Sequence, residues 1–294
     1  MQEGEHLILE PPDPSEEETK RRTHDALRVD AGGNEPPTRI WVYGLEEGQR
    51  RLARRTITHA ATGLVGGVDV MLGVTAASVL AGALSTVLPA KTAQVLGATA
   101  FGIGFVFITI GRSELFTENF LIPVAAVVER HSSVRSLARL WATTLAANVV
   151  GMLALSAVLA KAGVLDHDAL KAGGHTADVF AARGAFAAFL SAVVAGTLMT
   201  VWTWLSTAAR TDVARILVAF LVGYALAAPA LNHVMVGTGE MMFGVLGGQT
   251  HLADWGAVWS NFGVALGGNL VGGTLFVTFT RFIQARSDPH QEHD

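Results

Sequence analysis

After Arg55 the chain reads as a succession of apolar runs, each long enough to cross a bilayer, and this constrains its fold more than any other feature. A hydrocarbon core about 30 Å thick takes about 20 apolar residues of helix. Runs of that kind occur at roughly 64–88, 94–128, 137–160, 180–206, 213–248 and 256–283. Only 16% of the 294 residues are charged, against about a quarter in a soluble domain, so no polar shell offsets these runs. The 32 glycines lie mostly inside the apolar runs, where small residues let membrane helices approach closely. The expected fold is therefore all-α and integral to the membrane, with six transmembrane helices.

Residues 1–55 differ. They hold Pro11, Pro12, Pro14, Pro36 and Pro37, the acidic run Glu16-Glu17-Glu18, and few large apolar residues. Such a segment buries too little surface to offset its ordering entropy, so a disordered tail is expected. An amphipathic helix near Trp41 to Arg55 is expected to lie along the membrane surface. The channel domain is expected over 56–285, and a short tail over 286–294. The first 25 residues are acidic and carry no apolar stretch of the kind a cleavable signal needs. There is no cysteine, which excludes disulfides, thiolate metal sites and cysteine nucleophiles. No basic patch points to nucleic acid, and no cofactor motif is present.

Lysine and arginine set the orientation. One side holds Arg50, Arg51, Arg54, Arg55, Arg130, Arg135, Arg139, Arg210, Arg215, Arg281 and Arg286; the other holds Lys91, Lys161, Lys171 and Arg183. Eleven against four places both termini in the cytoplasm by the positive-inside rule, in a multi-pass protein of the inner or plasma membrane.

The second and fifth runs are too long for one straight helix, and each has an unfavourable centre. The second carries Gly111, Arg112, Ser113 and Glu114; the fifth carries Pro229, Asn232, His233, Gly237 and Gly239. Interrupted segments at matching places in two halves mark the transport site of many carriers. A repeat supports the match. Asn148-Val149-Val150-Gly151 in the third run returns as Asn269-Leu270-Val271-Gly272 in the sixth, 269 − 148 = 121 residues later. The same offset sends Gly111 to Asn232 and Thr117 to Thr238. Three crossings per half make this a 3+3 inverted repeat.

Glu114-Leu115-Phe116-Thr117 with Asn119, Asn148-x-x-Gly151, Gly268-Asn269-x-x-Gly272 and His233 follow one another in the order and spacing of the formate/nitrite transporters, which the chain resembles over residues 60–285. The resemblance implies an aquaporin-like fold and a homopentamer with one pore per subunit. It also implies conduction of small monovalent anions or their weak acids, either passively or coupled to protons. It gives His233 the place of the pore histidine, Thr117 that of the loop threonine facing it, and Phe101, Phe105 and Leu226 those of a hydrophobic constriction.

Physical chemistry supports these places independently. An ionisable side chain inside a membrane is costly, and defaults to a functional role. Imidazole titrates near neutrality, so it can lend a proton to a weak-acid anion or attract it; a buried structural histidine is the alternative. Thr117 can also cap the restarting helix. Phe101 and Phe105 stand one turn apart and share a face, either in a constriction or in packing. Asn148 and Asn269 either hold the interrupted loops or tie helices together. Arg112 must pair at its depth, with Glu114 and Glu118 nearest in sequence; it either attracts anions or braces the loop.

The chain departs from the family's pattern at Arg112 and Glu118, at Asn232 and Gly237, and in an outer lysine whose nearest counterpart is Arg183. Two further readings are a neutral-solute pore, although paired Asn-Pro-Ala loops are absent, and a non-conducting scaffold or sensor. A hydrolase would need Ser113 and His233 to act as nucleophile and base.

Overall fold

The computed structural model describes residues 35–287; the acidic run and the last seven residues lie outside them. The described residues form helices and no strand, apart from one isolated bridge between Ala162 and Leu165. The order is α1 (Pro37–Ala53), α2 (Thr56–Ser85), α3 (Ala90–Gly111), a 3-10 turn (Phe116–Phe120), α4 (Ile122–Val128), α5 (Val134–Leu159), α6 (His167–Ala181), α7 (Ala185–Ala208), α8 (Asp212–Ala227) and α9 (Val234–Gly247). Then come α10 (Trp255–Leu270), a π-helical stretch (Val271–Thr278) and α11 (Phe279–Arg286).

Five helices among these residues are long and apolar enough to cross a membrane: Thr56–Ser85, Ala90–Gly111, Val134–Leu159, Ala185–Ala208 and Trp255–Arg286. Polar side chains cap several helix starts. Ser133, Thr211 and Asp254 accept from the amides of Ser136, Ala214 and Ala257 at 3.2, 3.1 and 2.7 Å. The outward faces are apolar, with Leu64, Leu72, Phe107, Val150 and Phe276 exposed, while Asn148, His233 and Asn269 are fully buried. That inversion of the soluble pattern is what a lipid environment selects.

The second and fifth runs break where the unfavourable residues sit. Helix α3 stops at Gly111, and Arg112 takes the left-handed conformation (φ 59°). Helix α8 stops at Ala227, and Ala230 is left-handed in turn (φ 51°) before α9 starts after His233. A side chain in this region of φ/ψ space is uncommon and needs support from its surroundings.

The amphipathic helix is present and starts four residues earlier than expected, at Pro37 rather than Trp41. It packs on protein: Ile40 and Trp41 are buried in a cluster with Leu121, Ile122, Trp204 and Ala285, and Leu52 in another with Ala126 and Leu140. Thr38 donates to the carbonyl of Ala285 at 3.2 Å. Its apolar stripe finds partners on α4, α5, α7 and α11, so the packed unit extends some 20 residues further towards the N-terminus than a start at 56. Helix α6, before the fourth long helix, is a separate amphipathic element that hydropathy alone merges with the loop.

Candidate functional site

Each break is held by one buried asparagine. Asn148 on α5 accepts from the amide of Phe116 (2.8 Å) and donates to the carbonyls of Glu114 (2.9 Å) and Gly63 (2.6 Å). Asn269 on α10 accepts from the amide of Val234 (2.8 Å) and donates to the carbonyls of Asn232 (3.1 Å) and Ala192 (2.8 Å). A primary amide suits this, since one group can supply both an acceptor and donors to backbone that a broken helix leaves unpaired. The glycine three residues on completes each motif. A Cβ on Gly151 would collide with the carbonyl of Leu64, and one on Gly272 with that of Val193. The Asn-x-x-Gly pattern thus combines a loop tether with a close helix approach.

These bonds also correct the register. Asn148 lies 34 residues from Glu114, but Asn269 lies 37 from Asn232. The second half has three extra residues between break and asparagine, so the offset of 121 does not carry Gly111 onto Asn232; Glu114 occupies the matching place.

His233 and Thr117 meet where the breaks face each other, both fully buried, with Nε2 2.8 Å from the threonine Oγ1. His233 also caps α9, its Nδ1 accepting from the amide of Val236 at 3.1 Å. A backbone amide can only donate, so Nδ1 carries a lone pair and the proton of the neutral ring sits on Nε2, which donates to Thr117. The Thr117 hydroxyl hydrogen is then left without an acceptor among the described residues. Ser113 does not approach this histidine; its Oγ donates to Asp69 Oδ2 at 2.6 Å, so the nucleophile–base pair is absent.

Phe101, Phe105 and Leu226 are buried in one cluster with Val234 and Met235. The two phenylalanine rings meet edge-on at 5.2 Å. Phe105 is stacked on Trp202 at 4.6 Å and 6°, a contact that fixes its ring and that no local sequence signal announces.

The charged residues of the first break assort differently from expectation. Arg112 is exposed and pairs with neither Glu114 nor Glu118. Glu114 is bound by Arg54, and lies 3.8 Å from Arg51; Glu118 lies 4.0 Å from Arg51. Arg51 also donates to Asn119 (3.3 Å). Left-handed Arg112 directs its side chain outwards, while α1, packed beneath the loop, presents Arg51, and Arg54 follows directly after its end. Around the second break no ion pair braces the loop among the described residues. Asn232 and Asn261 exchange two hydrogen bonds of 2.9 Å, and Arg183 donates to the carbonyl of Ala230 (3.0 Å) and to Ser191 (3.1 Å). Asp69 and Glu240 were not among the expected site residues; carboxylates inside apolar runs are the signal that could have found them.

The chain is 25% identical over 252 residues to the inner membrane protein YfdC of Escherichia coli, covering 83% of this chain and 77% of that one. It is 27% identical over 208 residues to a probable formate transporter of Methanothermobacter thermautotrophicus, covering 64% and 74%. Among solved structures it shares the fold of an FNT family ion channel, with a TM-score of 0.73 at 17% identity over 84% of this chain and 98% of that one. It likewise resembles a pentameric formate channel with formate bound, with a TM-score of 0.64 at 17% identity over 78% and 96%. The model of the formate/nitrite transporter family matches residues 40–283, and with that extent of agreement the chain belongs to the formate/nitrite transporter family, as a multi-pass membrane transport protein and not an enzyme.

Proposed function

We propose that the protein conducts small monovalent anions of the formate and nitrite class, or their acids, across the cytoplasmic membrane past His233 and Thr117. The observation that carries this reading is the Thr117 hydroxyl. It is buried, accepts from His233, and has a hydrogen left to donate to a passing solute. A carboxylate or nitrite oxygen is an acceptor that fits it. His233 can attract the anion, or share a proton with it, so that it crosses the Phe101–Phe105–Leu226 constriction as a neutral acid without the desolvation cost of a bare charge. Asn148 and Asn269, with Glu114 and Glu118, support the pore by holding the breaks.

We take the chain to cross six times as a 3+3 inverted repeat in an aquaporin-like arrangement, with both termini cytoplasmic. The parallel hydrogen bonds of Asn148 and Asn269 support the repeat, and the arginine distribution supports the orientation. A homopentamer is the assembly we infer; the structural relative described as pentameric and the exposed apolar faces of α2 and α3 support it.

The test is uptake into proteoliposomes of formate, nitrite, acetate, lactate and glycerol at pH 5 and 7. Anion uptake that rises at the lower pH and falls by about tenfold or more in His233→Ala is the expected result. Glycerol uptake without anion uptake would replace this reading with a neutral-solute pore.

A further inference from the structure

The ring that stacks on Phe105 has a polar edge that the packing does not use. Trp202 is 3% exposed and belongs to the same buried cluster as Phe101, Phe105 and Leu226. Its ring lies parallel to that of Phe105, so it forms part of the wall of the constriction. Its Nε1–H is buried and has no acceptor among the described residues. The Ser206 hydroxyl, one turn further along α7 and on the same face, is buried and unpaired as well. Neighbouring hydroxyls answer their own helix instead. Thr200, Thr203 and Thr207 each donate to the carbonyl four residues back, at 3.0, 3.1 and 2.8 Å.

The depth of this pair follows from helix lengths. Trp202 stands six residues, about 9 Å, before the end of α7 at Ala208. Leu226 stands fourteen residues, about 21 Å, after the start of α8 at Asp212. Only residues 209–211 join those two helix ends, so both depths are measured from one face of the protein. Trp202 and Ser206 therefore lie between Leu226 and that face. A solute that leaves His233 and Thr117 in that direction passes Phe105 and then meets the indole edge.

We infer that the Trp202 N–H and the Ser206 hydroxyl form a second binding point for a small oxyanion, on the α7–α8 side of the constriction. An indole nitrogen only donates, and it neither gains nor loses a proton in the working pH range. Formate and nitrite each carry two oxygens that accept, so one ion can take both donors. Neither donor is charged, which suits a point that must hold an anion weakly enough to let it go. The inference rests on the pore reading above and adds to it the groups that the solute meets beyond the constriction.

Formate itself is the probe. The six tryptophans, labelled with nitrogen-15 in the indole, give six N–H signals in the purified protein, and the one missing from Trp202→Phe belongs to Trp202. That signal should move downfield as sodium formate is added. Trp41 is the internal control, because its Nε1–H is equally buried and unpaired but belongs to the cluster around α1. Its signal should stay in place. In proteoliposomes, Trp202→Phe keeps a ring that can stack on Phe105 and removes the N–H, so the formate concentration for half-maximal uptake should rise about tenfold. Ser206→Ala should raise it about threefold, and Trp41→Phe should keep the wild-type value. A Trp202 signal that does not move at formate concentrations that saturate uptake overturns this inference and leaves the pore reading standing. Equal movement of the Trp41 and Trp202 signals, or unchanged half-saturation in a folded Trp202→Phe protein, does the same. If Trp202→Phe does not fold, Phe105→Leu, which takes away the stacked ring, identifies the Trp202 signal by its shift, and the wild-type titration decides. No formate uptake by wild type removes both readings.

Discussion

The two helix breaks use the same tether and different surroundings. In each, an asparagine from a later helix satisfies three backbone groups, and a glycine one turn on lets that helix come close. Beyond that they diverge. The first break is braced by ionic contacts from the end of α1 and the residue after it, with Arg51 and Arg54 set against Glu114 and Glu118. The second is braced by neutral amides, Asn232 with Asn261, and by one arginine that donates to a carbonyl and a hydroxyl. The comparison teaches that backbone freed at membrane depth needs a fixed set of partners, whereas the outer bracing can be built from ion pairs or from single hydrogen bonds. The ion-paired version occurs where an amphipathic helix lies next to the break, and the titratable His233 sits in the other, where no described acidic group makes a direct contact with it.

The sharpest way to break this comparison is to remove one arginine from each side. Arg51→Met leaves Glu118 without its counter-ion and Glu114 with Arg54 alone, and should cost about 3 kcal/mol. Arg183→Met removes two hydrogen bonds and should cost about 1–2 kcal/mol. Thermal unfolding of the purified protein in detergent checks the order; equal losses would show that charge is not what distinguishes the breaks.

The shared tether makes the next prediction. Asn148→Ala and Asn269→Ala each strand an amide and a carbonyl of the break, so each should cost on the order of 2–3 kcal/mol, and by similar amounts. A much larger loss in one half would mean that the two tethers are not equivalent.

The smallest effect concerns acid. Burial raises the Glu47 carboxyl, but Arg51 and Arg50 beside it outweigh burial and hold it below its ordinary value of 4.5. A group whose folded value is depressed stabilises above its unfolded value, and that contribution is lost as pH falls through the folded one. Loosening of α1 should therefore begin below pH 4.5, and Glu47→Gln should remove that dependence at a cost of under about 1 kcal/mol at neutral pH. Hydrogen exchange of α1 against α9 measures it, and equal acid sensitivity of the two helices would count against the ionic account.

Much of this architecture is legible in the chain. The apolar runs locate the long helices to within several residues, because bilayer thickness fixes their length. Gly111 and Pro229 locate the breaks, because backbone chemistry acts locally. The Asn-x-x-Gly pairs and His233 stand out because polar groups are rare in such runs. What remained hidden depends on which elements come into contact. That α1 packs on protein, that Arg51 and Arg54 take Glu114 while Arg112 turns outwards, and that Trp202 stacks on Phe105 are pairings across 60 to 97 residues. The three-residue shift between the halves likewise shows only in the hydrogen bonds. Sequence by itself determined an all-helical membrane protein with two breaks and a histidine beside one of them, because hydropathy and backbone preference act along the chain. Only the tertiary structure decided which charge meets which and where the ring of His233 keeps its proton, because ion pairs and hydrogen bonds are made between elements that the sequence leaves far apart.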